Sequence, residues 1–185
     1  MSKLMKKILY TMLIFCFFCS SAQAGFKEFV AELKHDISAT WDSSKYDAYI
    51  PIYAWHNRLT YDQEHIEKYN ENPWGFGLGK SRYDEKGNWH SLYAMGFKDS
   101  NKHLETFFGY AYMKNWQIGD NPDFRAGVGY TLGFTQRTDW YYLPMPAPLP
   151  IAGLEYKRLA IQGAYVPGVK NDGNVLFLWT KLSLN

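Results

Sequence analysis

From residue 45 onward the chain lacks a helical period. It is cut instead into runs of about ten residues, the length a tilted strand needs to cross a bilayer, separated by turn signals. Strands are predicted near 48–62, 74–84, 87–98, 103–116, 123–137, 147–157, 158–167 and 174–184. Glu85-Lys86-Gly87-Asn88, Gly119-Asp120-Asn121-Pro122 and Lys170-Asn171-Asp172-Gly173-Asn174 have the composition of turns. An even set of long strands leaves few options, and an antiparallel transmembrane barrel fits best. Aromatic residues make up 18% of the chain, a load that interfacial girdles account for, although a lectin-like or lipocalin-like β protein carries it too.

The alternation within strands supports a barrel wall. Along Phe124–Thr135 one face reads Phe, Ala, Val, Tyr, Leu, Phe and the other Arg, Gly, Gly, Thr, Gly, Thr. Along Thr106–Met113 the outward set is Phe108, Tyr110 and Tyr112, and the inward set is Phe107, Gly109, Ala111 and Met113. That inner face is small and apolar. A bore lined this way suits a hydrocarbon chain rather than water.

The first residues have the pattern of a secretory signal. Lys3, Lys6 and Lys7 precede an apolar stretch from Ile8 to Phe18, and Ala22-Gln23-Ala24 is a small-x-small cleavage site. The expected division is a signal peptide over 1–24 and a single domain over 25–185. Both cysteines, Cys16 and Cys19, fall within the signal, so the remainder has no disulfides to staple it. The 20 Lys and Arg against 18 Asp and Glu include the three leader lysines, so the rest is near neutral. Nothing in that balance points to nucleic acid. Residues 25–41 carry Phe26, Phe29, Val30, Leu33, Ile37 and Trp41 at helical spacing. They are expected to form an amphipathic helix, packed on a core or lying at a membrane surface. The barrel proper is expected over 48–185.

Counting strands outward from periplasmic termini gives a topology. The first strand runs outward, His56 lies in its outer half, and the connection beginning at Asp99-Ser100 is on the same side. Pro51, Pro73, Pro150 and Pro167 fall in or beside the first and second strands and the sixth and seventh. Proline has no N–H for the ladder, and an unmade backbone bond is costly in lipid. Two such seams would let a lipid slip sideways into the bore.

His56, Asp99 and Ser100 are the candidate catalytic group. Imidazole is suited to take a hydroxyl proton near neutral pH, a carboxylate can fix its tautomer, and a serine can donate, accept or attack. Spacing alone does not bring them together, and His35, His65, His90 and His103 compete. A metal site would want a tight cluster of ligands, and the sequence holds none. No cofactor is expected.

Tyr-Ile-Pro-Ile-Tyr-Ala-Trp-His (49–56), Arg-Tyr-Asp-Glu-Lys-Gly-Asn-Trp-His (82–90), Leu-Tyr-Ala-Met-Gly-Phe-Lys-Asp-Ser (92–100) and Gly-Asn-Val (173–175) resemble the lipid A palmitoyltransferase family. Tyr-Asn-Glu-Asn-Pro-Trp-Gly (69–75) and Tyr-Val-Pro-Gly (165–168) extend the resemblance over the chain that follows the signal. It implies an all-β, eight-stranded outer-membrane barrel clamped by an N-terminal helix. It implies an acyltransferase moving a palmitoyl chain from the sn-1 position of a glycerophospholipid to a hydroxyacyl chain of lipid A in lipopolysaccharide, with the active site facing the cell exterior. The family's essential residues correspond to His56, Asp99 and Ser100, and its strand-breaking prolines to Pro51, Pro73, Pro150 and Pro167. Its acyl pocket corresponds to Gly109, Ala111 and Met113. Family members have glycine where Ala111 stands, so a chain slightly shorter than palmitate is expected. The chain ends Leu182-Ser183-Leu184-Asn185 where barrels of this kind usually close on an aromatic residue. A monomer or homodimer is expected. A non-catalytic barrel for apolar ligands and a soluble lipocalin-like carrier are the alternatives.

Overall fold

The computed structural model describes residues 25–185, and the proposed signal peptide lies outside them. Residues 25–41 form helix α1, with Phe26 and Phe29 exposed on it. Among the described residues, eight antiparallel strands then close into a barrel in simple sequence order. They are β1 Lys45–His56, β2 Gly75–Tyr83, β3 Trp89–Lys98, β4 Leu104–Gln117, β5 Phe124–Gln136, β6 Met145–Tyr156, β7 Leu159–Val166 and β8 Val175–Ser183. Pairing of β1 with β8 closes the wall.

The longest connections lie at one end. At the opposite end, β2–β3, β4–β5 and β6–β7 are joined by tight turns. In the first of these Asp84 Oδ1 accepts the Lys86 and Asn88 N–H groups at 2.9 and 2.8 Å, and Gly87 takes φ +79°. At the long-loop end lie the short loop 99–103 and the longer loops 57–74, 137–144 and 167–174. Loop 57–74 contains a short helix, α2, Gln63–Lys68, capped by Asp62, whose carboxylate accepts the His65 N–H.

The expected strands agree with the observed ones within a few residues, with one informative exception. β1 ends at His56 rather than running on to residue 62. The Asn57 carbonyl accepts the N–H groups of Thr60 and Tyr61 at 2.9 and 3.1 Å, so the chain turns there.

Alternation sorts the side chains as expected. Leu78, Phe108, Val128, Phe134, Leu154 and Ile161 are exposed on the outside. Tyr49, Trp89, Tyr93, Met95, Phe107, Met113 and Trp179 pack within. Gly133 leaves room on the inner wall: a Cβ there would lie 2.7 Å from the Phe107 ring. The turn end of the bore is not greasy. Lys181 Nζ donates to Glu155 Oε2 at 2.8 Å, Tyr83 donates to the same oxygen at 2.5 Å, and Ser183 donates to Asp47 at 2.9 Å. Lys181 and Glu155 are buried as an ion pair, and the buried Asp47 carboxylate accepts hydroxyl hydrogen bonds. The apolar half of the bore is therefore the half under the long loops.

Candidate active site

Two interruptions in the ladder shape the loop end. β1 pairs with β2 only from Lys45 to Tyr49. Beyond Tyr49 comes Pro51, and β1 bulges against β8 between Pro51 and Tyr53. Loop 57–74 fills part of the vacated edge: the Ala54 N–H donates to the Glu71 carbonyl at 3.0 Å. Pro73 is buried in that loop just before β2, rather than within the strand.

The second interruption is between β6 and β7. Their pairing begins only at Ile151↔Ala164, while β6 stays paired with β5 out to Met145. β6 carries Pro146, Pro148 and Pro150 at alternate positions. Alternate residues turn their backbone groups to the same edge. Because the β5 side remains paired, the edge without N–H donors is the one facing β7. Pro167 follows directly on the last residue of β7. All four expected prolines therefore flank the two interruptions.

Below the loops lies a cavity of about 640 Å³. Its lining is mostly apolar and includes Met95, Phe107, Leu149 and Phe177. Asp99 and Ser100 line it near the loops, and Tyr93, Thr131 and Trp179 line it deeper in the bore. Tyr93 and Thr131 hydroxyls are hydrogen-bonded at 2.9 Å and bridge its floor. Ala111 and Met113 belong to the packed core, and Gly109 shares their face, but none of the three lines the open cavity. Ala111 pairs with Ser91 and Thr131, one step toward the turn end from Tyr93.

The last residue of β1 stands at the mouth. His56 is 1% exposed. Its Nε2 lies 2.9 Å from Ser100 Oγ, and its Nδ1 lies 3.1 Å from Glu71 Oε1. Tyr61 meets the imidazole edge-on at 5.1 Å between centroids, and Tyr69 lies against it at 5.0 Å. Tyr61 is itself tied to the far loop, donating to the Gly173 carbonyl at 2.5 Å. The Asp62 N–H donates to Asn171 Oδ1 at 3.0 Å, so loops 57–74 and 167–174 are clamped together.

His56 and Ser100 meet as expected; Asp99 does not orient the ring. Asp99 Oδ1 accepts the N–H groups of Asn101 and His103, both at 2.8 Å, and so shapes the loop that presents Ser100. Its Oδ2 is buried without a hydrogen-bond partner, 3.9 Å from Arg137 Nη2. The carboxylate that reaches the imidazole belongs to Glu71, which sequence reasoning missed. Glu71 is held by Arg58 through Nη1 at 2.5 Å and Nη2 at 2.7 Å, and it accepts the Tyr53 hydroxyl at 2.9 Å. The Arg58 hydrogen bonds hold the Glu71 carboxyl down at about 2.

A hydroxyl, an imidazole and a carboxylate stand in line at the mouth of an apolar slot, in a barrel wall with two breaks, and together they define a membrane barrel with a polar site opening on a slot for an apolar chain. The family model described as "Antimicrobial peptide resistance and lipid A acylation protein PagP" matches residues 36–181. A "Lipid A acyltransferase PagP" of Laribacter hongkongensis (strain HLHK9) is 51% identical over 80% of this chain and 71% of its own length. One from Serratia proteamaculans (strain 568) is 49% identical over 86% and 82%. One from Erwinia sp. (strain Ejp617) is 44% identical over 97% and 99%. Among solved structures, the Yersinia pestis outer membrane protein Ail in a phospholipid bilayer nanodisc aligns with a TM-score of 0.40 at 12% identity, covering 76% of this chain and 99% of that one. The chain belongs to the PagP family.

Proposed function

We propose that the protein is an outer-membrane acyltransferase that moves an acyl chain from the sn-1 position of a glycerophospholipid to a hydroxyl of lipid A, and that His56 is its general base. The observation that carries this reading is the Ser100–His56 contact at 2.9 Å, at the mouth of a cavity with apolar walls. The relatives' name, lipid A acyltransferase, agrees with it.

In the direct route, the acceptor hydroxyl approaches His56 Nε2, which takes its proton as the oxygen attacks the ester carbonyl. Ser100 donates a hydrogen bond to the oxyanion that develops there. Collapse expels the lysophospholipid alkoxide, which recovers the proton from the imidazolium. The acyl chain lies in the bore throughout. Asp99 supports the step by shaping the loop that presents Ser100.

The separation of the two ladder breaks favours this direct route. A donor and an acceptor that enter by different breaks would both be present at once, with no stored intermediate needed. The His56–Ser100 hydrogen bond also suits a second route, in which Ser100 is acylated and lipid A then relieves it. Incubating the folded barrel in detergent with lipid A and a phospholipid labelled in its sn-1 chain tests the reading. Label is expected on lipid A, and a folded barrel that transfers none overturns it.

A further inference from the structure

Glu71 lies outside the serine, histidine and aspartate that resemblance brings forward, and it does two things at once. Its backbone stands in for the missing β2 partner of β1, through the Ala54 N–H. Its side chain reaches round to the imidazole. One carboxylate oxygen, Oε1, accepts the His56 backbone N–H at 3.1 Å and faces Nδ1 at 3.1 Å. With Arg58 and Tyr53 also attached, the group has little freedom to move away from the ring.

Building on the transferase reading, we propose that Glu71 is the positioning residue of the reaction: it holds the Nδ1–H of His56 and so leaves Nε2 as the bare, basic nitrogen facing Ser100. A carboxylate only accepts hydrogen bonds, so the proton between the two belongs to Nδ1. Nε2 must then accept from the Ser100 hydroxyl or from a substrate hydroxyl that takes its place. When Nε2 gains a proton, the anion at Nδ1 stabilises the imidazolium. Asp99 is unable to supply this, because Oδ1 is committed to its own loop and Oδ2 faces Arg137. The local arrangement also explains why β1 leaves β2 where it does. An intact ladder past Tyr49 would leave no edge for the Glu71 segment to occupy.

The groups facing the imidazole are Glu71, Arg58, Tyr61 and Tyr69 from loop 57–74 and Ser100 from loop 99–103. Glu71 is the anion among them and Arg58 the cation, and the two stay paired. Replacing Glu71 with glutamine removes the negative charge and leaves a group that can turn its amide and donate instead.

The test reads the tautomer and the rate together. Long-range proton–nitrogen spectra of the wild-type barrel in micelles at neutral to mildly alkaline pH are expected to show His56 protonated on Nδ1 and bare on Nε2. Glu71→Gln is expected to lower kcat by roughly 10²-fold or more, with donor KM changed less than about twofold. Its acid limb should move to lower pH, because the imidazolium has lost its anion. Glu71→Asp should recover part of the rate. A wild-type His56 protonated on Nε2 would overturn the proposal whatever the variants do. A Glu71→Gln barrel with the wild-type rate and pH profile would overturn it as well. If that variant does not fold, the wild-type spectrum and the Glu71→Asp rate decide. Should the wild-type barrel transfer no label at all, the transferase reading fails, while the tautomer is still read separately.

Discussion

His56 Nε2 and Ser100 Oγ stand 2.9 Å apart across 44 residues of chain. One belongs to the end of β1 and the other to the loop after β3, so the contact exists only because the wall between them is open and loop 57–74 closes over it. The two routes give different losses for Ser100→Ala. Direct transfer forfeits an oxyanion donor, roughly 10²- to 10³-fold in kcat. A covalent route forfeits the nucleophile, roughly 10⁶-fold. We expect the smaller loss, and no acyl group on Ser100 when the wild-type reaction is quenched in acid and the protein is weighed by mass spectrometry.

Glu71 sets a pH expectation for the loop. Its carboxyl lies at about 2 against an ordinary 4.5, chiefly through Arg58. The folded value is depressed, so the stabilisation is complete above 4.5 and fades as pH falls toward 2. Hydrogen exchange of the Ala54 and His56 amides is expected to show the clamp intact at pH 5, with protection lost only as pH approaches 2. Any fall in transfer between pH 7 and 5 then reports the imidazole rather than release of Glu71.

Much of this architecture was legible in the sequence. Alternation in Phe124–Thr135 and Thr106–Met113 assigned the lipid-facing and inner faces, and turn residues located the tight connections. Residues 57–61 keep a strand-like composition, although β1 ends at His56. They turn because Asn57 gathers the N–H groups of Thr60 and Tyr61, and its own N–H goes to the Asn174 carbonyl. Glu71 was invisible for a similar reason. It sits in a polar Asn-Glu-Asn-Pro stretch that reads as loop, and its importance arises only from the unpaired edge of β1. The buried Lys181–Glu155 pair had a readable signal: Lys181 shares a strand face with Trp179, which alternation assigns to the bore.

The prolines of β6 offer a test of the second opening. Pro148→Ala and Pro150→Ala each restore an N–H donor on the edge facing β7. A hydrogen bond gained there is worth about 1 kcal/mol, enough to favour a closed ladder about fivefold. The double variant is expected to transfer several-fold more slowly and to gain amide protection at Tyr165 and at the two restored amides of positions 148 and 150. Unchanged transfer alongside gained protection would mean that lipid does not pass between β6 and β7.

Chain length is tested at the cavity floor. Ala111 stands opposite Thr131 and one step toward the turn end from Tyr93, behind the Tyr93–Thr131 hydrogen bond, so it limits an acyl tail only if that bond yields. A donor panel from C12 to C18 is expected to show an optimum slightly below C16, moving up by about one methylene in Ala111→Gly. Each misfitted methylene is worth about 0.8 kcal/mol, roughly a fourfold preference. An optimum that stays put in Ala111→Gly would make Tyr93 and Thr131 the floor.

The most direct test compares the wild-type barrel with His56→Phe, both folded in the same detergent and checked by heat-modifiable migration on gels. Each is given lipid A and a phospholipid labelled in its sn-1 chain, and the products are separated by thin-layer chromatography. The wild type is expected to carry label onto lipid A, and His56→Phe to do so at least about 10²-fold more slowly, the scale of a lost general base. Equal rates in the two barrels would contradict the account.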